Sequence, residues 1–474
     1  MTGSGGWPLN VFLTPDLHPF FGGTYFFPRD QYGRLGFLSV IGGIARMWSE
    51  RRTELTQNGQ RVVQWLREMN IPTTSKGDLS VETVSSAIQQ INRSFDPVHG
   101  GFGAAPKFPS CPTLRFLLHA ADRTGAADAN STADCLTIVK HTLERMAHGG
   151  IYDHLGGGFH RYAVDESWLV PHFEKMLYDN AQLAELYAEM YALTGDPFFR
   201  KVAVDTLQYA LRDMQSPQGG FYAAEDADSE GKEGVFYLWE YNEIHGLLPD
   251  DEARLFCTFY NVQPDGNFTS HEPYHDRLNV LHTPHTLAEV AEQLSLDLQE
   301  AEEMLSRARK VLQKHRNTRV RPFRDEKIIV SWNGLMIRSL CHAAQYLGES
   351  RYRDAAVRAA QFIRDGLITP HGELLHSWCD GSAALPAVLD DYVFLAEGFL
   401  ALYETTFASE WLLDAERLCN VLIDRFGDPA QGGFFSSDDV NSLLPVRVKS
   451  LYDVAEPSPN ASAAGLLLRM FHYT

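Results

Sequence analysis

The sequence lacks any apolar run long enough to cross a bilayer, which takes about 18 residues, so no membrane span is expected. Its opening residues, Met1 to Asn10, carry neither a basic nor an apolar stretch, so no secretory leader is expected. Cysteine is scarce. The six, at 111, 135, 257, 341, 379 and 419 of 474 residues, form no Cys-x-x-Cys pair and no zinc-ligand spacing. That argues against a disulfide-stapled fold and for a reducing, cytoplasmic compartment. Positive charge is also short: 41 Lys and Arg against 61 Asp and Glu give a net charge of −20. Nucleic acid and anionic membranes are therefore not expected as partners. Neither GxxxxGK[ST] nor GxSxG occurs, so the glycines at 149–150 and 156–158 are not read as a nucleotide cradle. No cofactor is expected.

What is present is an ordinary globular mixture, 44% hydrophobic and 22% charged, enough to bury a large core. Residues 8–13 and 19–26 read as two strands joined at the Thr14-Pro15-Asp16 turn, and 36–69 as a helix. Two strands and a helix cannot bury both faces of a sheet, so this piece either docks onto the next domain or lacks upstream strands. Residues 73–78 read as a linker. Beyond it the pattern is helical, with twelve stretches near 80–94, 111–124, 132–148, 172–194, 197–215, 251–260, 297–315, 329–348, 350–365, 386–407, 409–426 and 457–470.

A Gly-Gly-Phe loop recurs at 100–102, 157–159, 219–221 and 432–434; the first three starts are 57 and 62 residues apart, room for two helices each. Helical hairpins stacked this way close into an (α/α)6 toroid or remain an open solenoid. Long, aromatic and acidic loops favour closure around a cavity.

Several blocks resemble one known family. Gly5-Gly6-Trp7-Pro8-Leu9-Asn10-Val11-Phe12-Leu13-Thr14-Pro15-Asp16 with Gly22-Gly23-Thr24-Tyr25-Phe26 resembles the second half of a thioredoxin-like domain. Pro171-His172-Phe173-Glu174-Lys175-Met176-Leu177-Tyr178-Asp179-Asn180, Asp226-Ala227-Asp228-Ser229-Glu230-Gly231, Ser331-Trp332-Asn333-Gly334-Leu335 and Leu389-Asp390-Asp391-Tyr392 are similar to blocks of the spermatogenesis-associated protein 20 family. The resemblance runs in order along essentially the whole chain. It implies a mainly α protein: a partial thioredoxin-like α/β domain at 1–72, then an (α/α)6 toroid at 78–474 like those of sugar epimerases and six-hairpin glycosidases. The family name implies a role in spermatogenesis. The chain departs from the pattern, because the Cys-containing redox turn precedes Gly-Trp-Pro in the family and Met1 falls after that point. Pro8 matches the proline that thioredoxin-like folds hold in cis, and the C-terminus stops where the family runs on.

Sugar chemistry needs carboxylates or imidazoles for proton transfer and aromatic faces for the ring. Segment 152–180 offers both, with His172 and Glu174 as acid/base candidates at the entry of a helix. There His172 would share a face with Met176, and Lys175 with Asp179. His160, Trp168, Asp179 and Asn180 are the ligand-binding candidates nearby. The alternative is that Glu174 and Lys175 pair on the surface while Asp179 and Asn180 tie down a loop. Asp226 and Asp228 open half a calcium loop: Gly231 fits the sixth position, but Tyr237 stands at the twelfth, so no metal is assigned, and the segment reads either as an acidic loop on the toroid mouth or as an acid/base or hydroxyl-binding site. Asp390, as acid or base, and Asp391, as ligand contact, start a helix, where the dipole alone also accounts for them. Trp332, Asn333 and Trp378 are candidate sugar contacts, although large aromatics are more often core. Arg447, Lys449, Asp453 and Glu456 read as a solvated charged turn. The expected activity is carbohydrate-active or sugar-binding, epimerase-, isomerase- or glycosidase-like. The rivals are a thioredoxin-class redox protein and a non-catalytic scaffold. The expected partner is a sugar or a peptide; no oligomeric state is legible.

Overall fold

The computed structural model describes residues 6, 8–69, 80–124, 129–269, 273–438 and 444–474. The linker expected at 73–78 and the Trp7–Pro8 bond lie outside them. The chain divides into two compact units, 1–77 with 421–450, and 78–420 with 451–474.

In the first unit, strands Asn10–Leu13 and Pro19–Gly23 pair antiparallel as the turn signal requires, with Asn10 opposite Gly23. The Thr14 hydroxyl closes the turn by accepting from the His18 amide at 3.1 Å. Helix Arg52–Met69 lies against this hairpin at Gly59, where a Cβ would stand 3.0 Å from the His18 Cβ. The single helix expected at 36–69 is two, Phe37–Glu50 and Arg52–Met69. The break falls at Arg51, whose φ of −136° leaves the helical region. Val40 is the one buried residue of the first helix; Leu38 and Ile41 on it, and Val11 and Leu13 on the hairpin, stay exposed.

The second unit is built of hairpins of an inner and an outer helix, and three of the inner helices, Leu177–Thr194, Val330–Leu347 and Leu389–Thr406, are buried over most of their circumference. The inner helices, Cys111–Thr124, Leu177–Thr194, Val330–Leu347, Leu389–Thr406 and Pro459–Tyr473, pack side by side in chain order. A helix that is apolar around its whole circumference belongs inside, and Leu177–Thr194 is buried without a gap from Leu177 to Ala188. Gly334 and Gly398 let two of these inner helices approach closely: a Cβ on Gly334 would come within 2.4 Å of the Phe394 carbonyl carbon. Ala129–His148, Pro197–Tyr209, Ser350–Gly366 and Ser409–Phe426 are the outer helices; the last continues from Val421 onward into the first unit. This is the hairpin arrangement of an (α/α)6 toroid, and the described residues hold five of its inner helices.

The stretches expected at 251–260 and 297–315 are helices, Asp250–Phe259 and Leu298–Arg316, but they are not hairpins of the ring. With the shorter Tyr241–Leu247 and Leu287–Leu294 they form an insert with its own core of Leu155, Trp239, Phe256, Leu305 and Leu312. The inner helices on either side of the insert, Leu177–Thr194 and Val330–Leu347, pack directly on each other. Among the described residues no helix is long and apolar enough to cross a membrane.

The Gly-Gly-Phe loops are one repeated closed turn. In Asp96–Gly101 and Asp153–Gly158 the first amide donates to the last carbonyl, and the fifth amide donates back to the first carbonyl. Ser216–Gly220 and Thr369–Glu373 are the same turn one residue shorter. A further full-length copy, Asp428–Gly433, lies in the first unit. The Thr369 copy lacks the Gly-Gly-Phe letters and so was invisible in the sequence. Glycine is required where the turn meets a helix: at Gly157, φ is +78° and a Cβ would meet the Asp205 carbonyl oxygen at 2.3 Å.

Candidate active site

The turns and short strands gather at the N-terminal ends of the inner helices, and this is where the polar side chains of the second unit collect. Helix Leu177–Thr194 begins with Tyr178 and Asp179, Val330–Leu347 contributes Trp332, and Leu389–Thr406 contributes Asp390 and Asp391. Glu456 sits three residues before helix Pro459–Tyr473. The Gln182 amide donates to the neighbouring Ala455 carbonyl at 2.9 Å and holds that approach segment against helix Leu177–Thr194.

His172 and Glu174 are not on a helix, contrary to the expectation. The Pro171–His172 backbone pairs with Tyr162–Ala163, and Lys175–Met176 pairs with Ala224–Glu225. These ladders keep the segment extended until Leu177, so the supposed helical faces of His172 with Met176 and of Lys175 with Asp179 do not exist. His172 stands between two carboxylates, with Nδ1 2.7 Å from Glu233 and Nε2 3.6 Å from Glu174. Hydrogen bonding to Glu174 and then to Glu233 raises its pKa to about 9. Arg161 donates to Glu174 at 2.8 Å. Glu174 and Glu233 are both held below the usual carboxylate range, chiefly by bonding to His172.

On the opposite side, Asp391 is fully buried and accepts from the Ser331 amide at 3.0 Å and the Val388 amide at 2.9 Å. Its Oδ2 also lies 2.8 Å from His376 Nδ1, and this bond shifts the imidazole pKa upward. His376 lies on strand Leu375–Cys379, which pairs with Ile328–Ile329 and Ser382–Pro386.

Three carboxyl groups are coupled to these two sets of side chains and behave differently. Burial raises Glu456 to about 7, assisted by the charges of Asp390 and Asp391 and opposed by a hydrogen bond with the Trp332 side chain. Asp390 is raised by burial and by Asp391. Asp179 is raised well above its usual range by burial, with Glu456 and Glu174 adding to the shift and Arg161 opposing it. The Tyr178 and Trp332 rings meet edge to face at 4.9 Å beside them. Side chains on three inner helices and one approach segment thus form one electrostatically coupled cluster. Among the described residues no group of three or more histidine, cysteine, aspartate or glutamate side chains is arranged to hold a metal ion.

Of the residues picked from sequence, Asp179, Asp390, Asp391 and Trp332 come together in this cluster, and His172 and Glu174 border it through Arg161. The others stand elsewhere. His160 is buried, with Nδ1 2.8 Å from the Phe173 carbonyl, and burial lowers its pKa to about 3. Trp168 is completely buried and donates to the His99 carbonyl at 2.9 Å, so it is core rather than a ring platform. Asn180 and Asn333 are buried clamps: each accepts from the amide of a repeat-turn phenylalanine and donates back to its carbonyl, Asn180 at Phe159 and Asn333 at Phe221. Each also donates to a carbonyl at the start of its own helix, so neither amide is left for a ligand. Trp378 packs edge to face on Phe362. Asp226 and Asp228 are exposed, Asp226 two residues before and Asp228 within the Asp228–Ser229 strand that pairs with Lys232–Glu233. Asp228 acts on the border of the cluster through the charges of Glu233 and His172. Glu456, His376, Tyr178 and Arg161 were not among the sequence candidates. Glu456 carried a usable signal, since it stands just before an inner helix, as His172 and Glu174 do. A separate cavity of about 410 Å³ between helix Pro197–Tyr209 and helix Leu298–Arg316 contains none of these groups.

The family model Thioredox_DsbH, described as "Protein of unknown function, DUF255", matches residues 1–67. Human spermatogenesis-associated protein 20 is 36% identical over 99% of this chain and 64% of its own length. Uncharacterized protein B0495.5 of Caenorhabditis elegans is 37% identical over 99% of this chain and 67% of its own. The chain therefore spans less than two thirds of the human relative. Among solved structures, unsaturated glucuronyl hydrolase from Bacillus sp. GL1 is similar at 12% identity and a TM-score of 0.47, covering 82% of this chain and 79% of that one.

Proposed function

The chain belongs to the spermatogenesis-associated protein 20 family, and on that premise we propose that its helical unit is a carbohydrate-active domain working by acid/base chemistry at the cluster of Asp179, Asp390 and Glu456. One observation carries the reading. Burial raises the Glu456 carboxyl to about 7, and an imidazole oriented by a buried aspartate acts on the charge of Asp390. Groups poised near the working pH are what proton transfer to and from a hydroxyl or ring oxygen requires. In this reading Glu456 and His376 are the acid/base groups, and Asp391 is a positioning residue for His376. Tyr178 and Trp332 offer the apolar face for a sugar ring. A redox role is not supported by the chain's own thiols, since all six cysteines are free and five of them are buried.

The test is NMR detection of turnover across a panel of mono- and disaccharides. Glu456→Gln and Asp390→Asn should each lower turnover at least about 100-fold, while Asp228→Asn should leave it unchanged. Full turnover in both cluster variants would overturn the site. Sugar binding without any product would select the scaffold reading.

A further inference from the structure

The cluster can be read further by pairing its charges. Three cationic side chains border it, and each has a carboxylate already. Arg161 holds Glu174 at 2.8 Å, His172 holds Glu233 at 2.7 Å, and His376 holds Asp391 at 2.8 Å. Asp179, Asp390 and Glu456 are left over, and none of them makes an ion pair among the described residues. Asp179 shows this most sharply. It is only 3% exposed, and its Oδ2 is buried with no hydrogen-bond partner. An orphaned buried carboxyl oxygen is uncommon and costly unless something else meets it. The upward shift of Glu456 is opposed only by a hydrogen bond with the Trp332 side chain, and that of Asp390 by its own backbone amide and by the charge of His376, which is already paired with Asp391. Beside the three lie the Tyr178 ring and the Trp332 indole, 4.9 Å apart, aromatic faces of the kind that attract an ammonium group.

We infer that the ligand of this site carries a positive charge beside its hydroxyl groups: an amino-substituted sugar or a similar polyhydroxylated amine. The inference rests on the reading of this cluster as the ligand site. A bound ammonium would restore the missing counter-charge to Glu456 and Asp390 and lower the field at Asp179. An acidic sugar would add a negative charge where three carboxyls already lack partners. The groups facing the ligand also include Glu174 and Arg161 at Asp179, Asp391 at Glu456, and His376 at Asp390. None of these supplies a spare cation.

The test compares four probes of nearly one shape, D-glucosamine, D-glucose, N-acetyl-D-glucosamine and D-glucuronate, together with ethanolamine. Binding to the intact chain is read by titration calorimetry at neutral pH. Glucosamine should bind at least about tenfold more tightly than glucose and glucuronate more weakly than either, and Glu456→Gln with Asp390→Asn should bring the glucosamine-to-glucose ratio towards one. Thermal melts of both variants check that they fold. Glucose or glucuronate binding as tightly as glucosamine would overturn the inference while leaving the carbohydrate reading intact. Binding of ethanolamine, but of none of the sugars, at a site sensitive to Glu456→Gln would support the charge reading and overturn the carbohydrate one. No binding by any of the five would overturn both.

Discussion

Two of the charged clusters in the helical unit differ in how their carboxyls are paired. Around Asp153 one carboxylate meets two cations. The Asp153 carboxylate takes both guanidinium nitrogens of Arg316, at 2.7 and 3.0 Å, and the Lys175 ammonium at 2.8 Å. Lys175 also donates to the Gly157 carbonyl at 3.0 Å and lies over the Tyr209 ring. Burial works to raise the Asp153 pKa, but Arg316 and Lys175 outweigh it and hold the carboxyl well below its usual range. Around Glu456, burial acts on carboxyls that have no cation, and their pKa values rise. A buried charge that is fully paired locks a turn to its neighbours. Buried carboxyls without partners make no such lock, so their presence calls for a reason outside the fold.

The comparison can be broken at three points. The largest effect is expected from Asp153→Asn, which leaves Arg316 and Lys175 buried without a counter-charge. Urea unfolding should show a loss of about 3–5 kcal/mol, and a loss below about 1 kcal/mol would mean that the network is not structural.

Glu456→Gln should act the other way. A carboxyl raised from its ordinary 4.5 to about 7 in the folded chain holds its proton more tightly when folded than when unfolded. Folding therefore loses stability as pH rises from 4.5 through about 7, and the deficit is on the order of 3 kcal/mol above that window. Glutamine removes the deficit, so the variant should melt at a higher temperature than the parent at pH 8 and at the same temperature near pH 4.5.

The smallest effect is expected at His172. Its raised pKa means stabilisation that is fully present below about 6.5 and is lost as pH rises through about 9. His172→Gln should be less stable than the parent at pH 6, by about 1 kcal/mol or less because the side chain is partly exposed to solvent. The gap should close above pH 9.

Much of this architecture was legible in the letters. The Gly-Gly-Phe repeat marks turns that exist, and the apolar helices between them are the inner ring. The Thr369 copy was hidden because the turn depends on two backbone hydrogen bonds and a residue of positive φ, Gly372, rather than on a fixed spelling. The two-residue strands on either side of Glu174 were hidden because they are too short to show alternation, and the second depends on a partner far away in sequence, with Lys175 opposite Glu225.

Asn180 and Asn333 were picked for their motifs, and the same motifs explain their real task, since each stands fourth in an inner helix and clamps a repeat turn. Glu456 was misjudged through its neighbours. Lys449 bonds Asp428 at 2.7 Å and Arg447 donates to the Ser437 carbonyl at 2.9 Å, all within the first unit. Glu456, seven residues beyond Lys449, belongs to the other unit and to the cluster. Adjacency in sequence suggested a solvated turn where the fold separates the partners.

The central claim is that the Glu456 carboxyl lacks a cation while the Asp153 carboxyl has two. The most direct measurement is a carbon-detected NMR titration of the side-chain carboxyls of the intact chain, assigned with Glu456→Gln and Asp153→Asn. The account predicts that Glu456 titrates near pH 7 and that Asp153 remains ionised down to the acid limit of folding. A Glu456 carboxyl titrating at an ordinary value near 4.5 would contradict it.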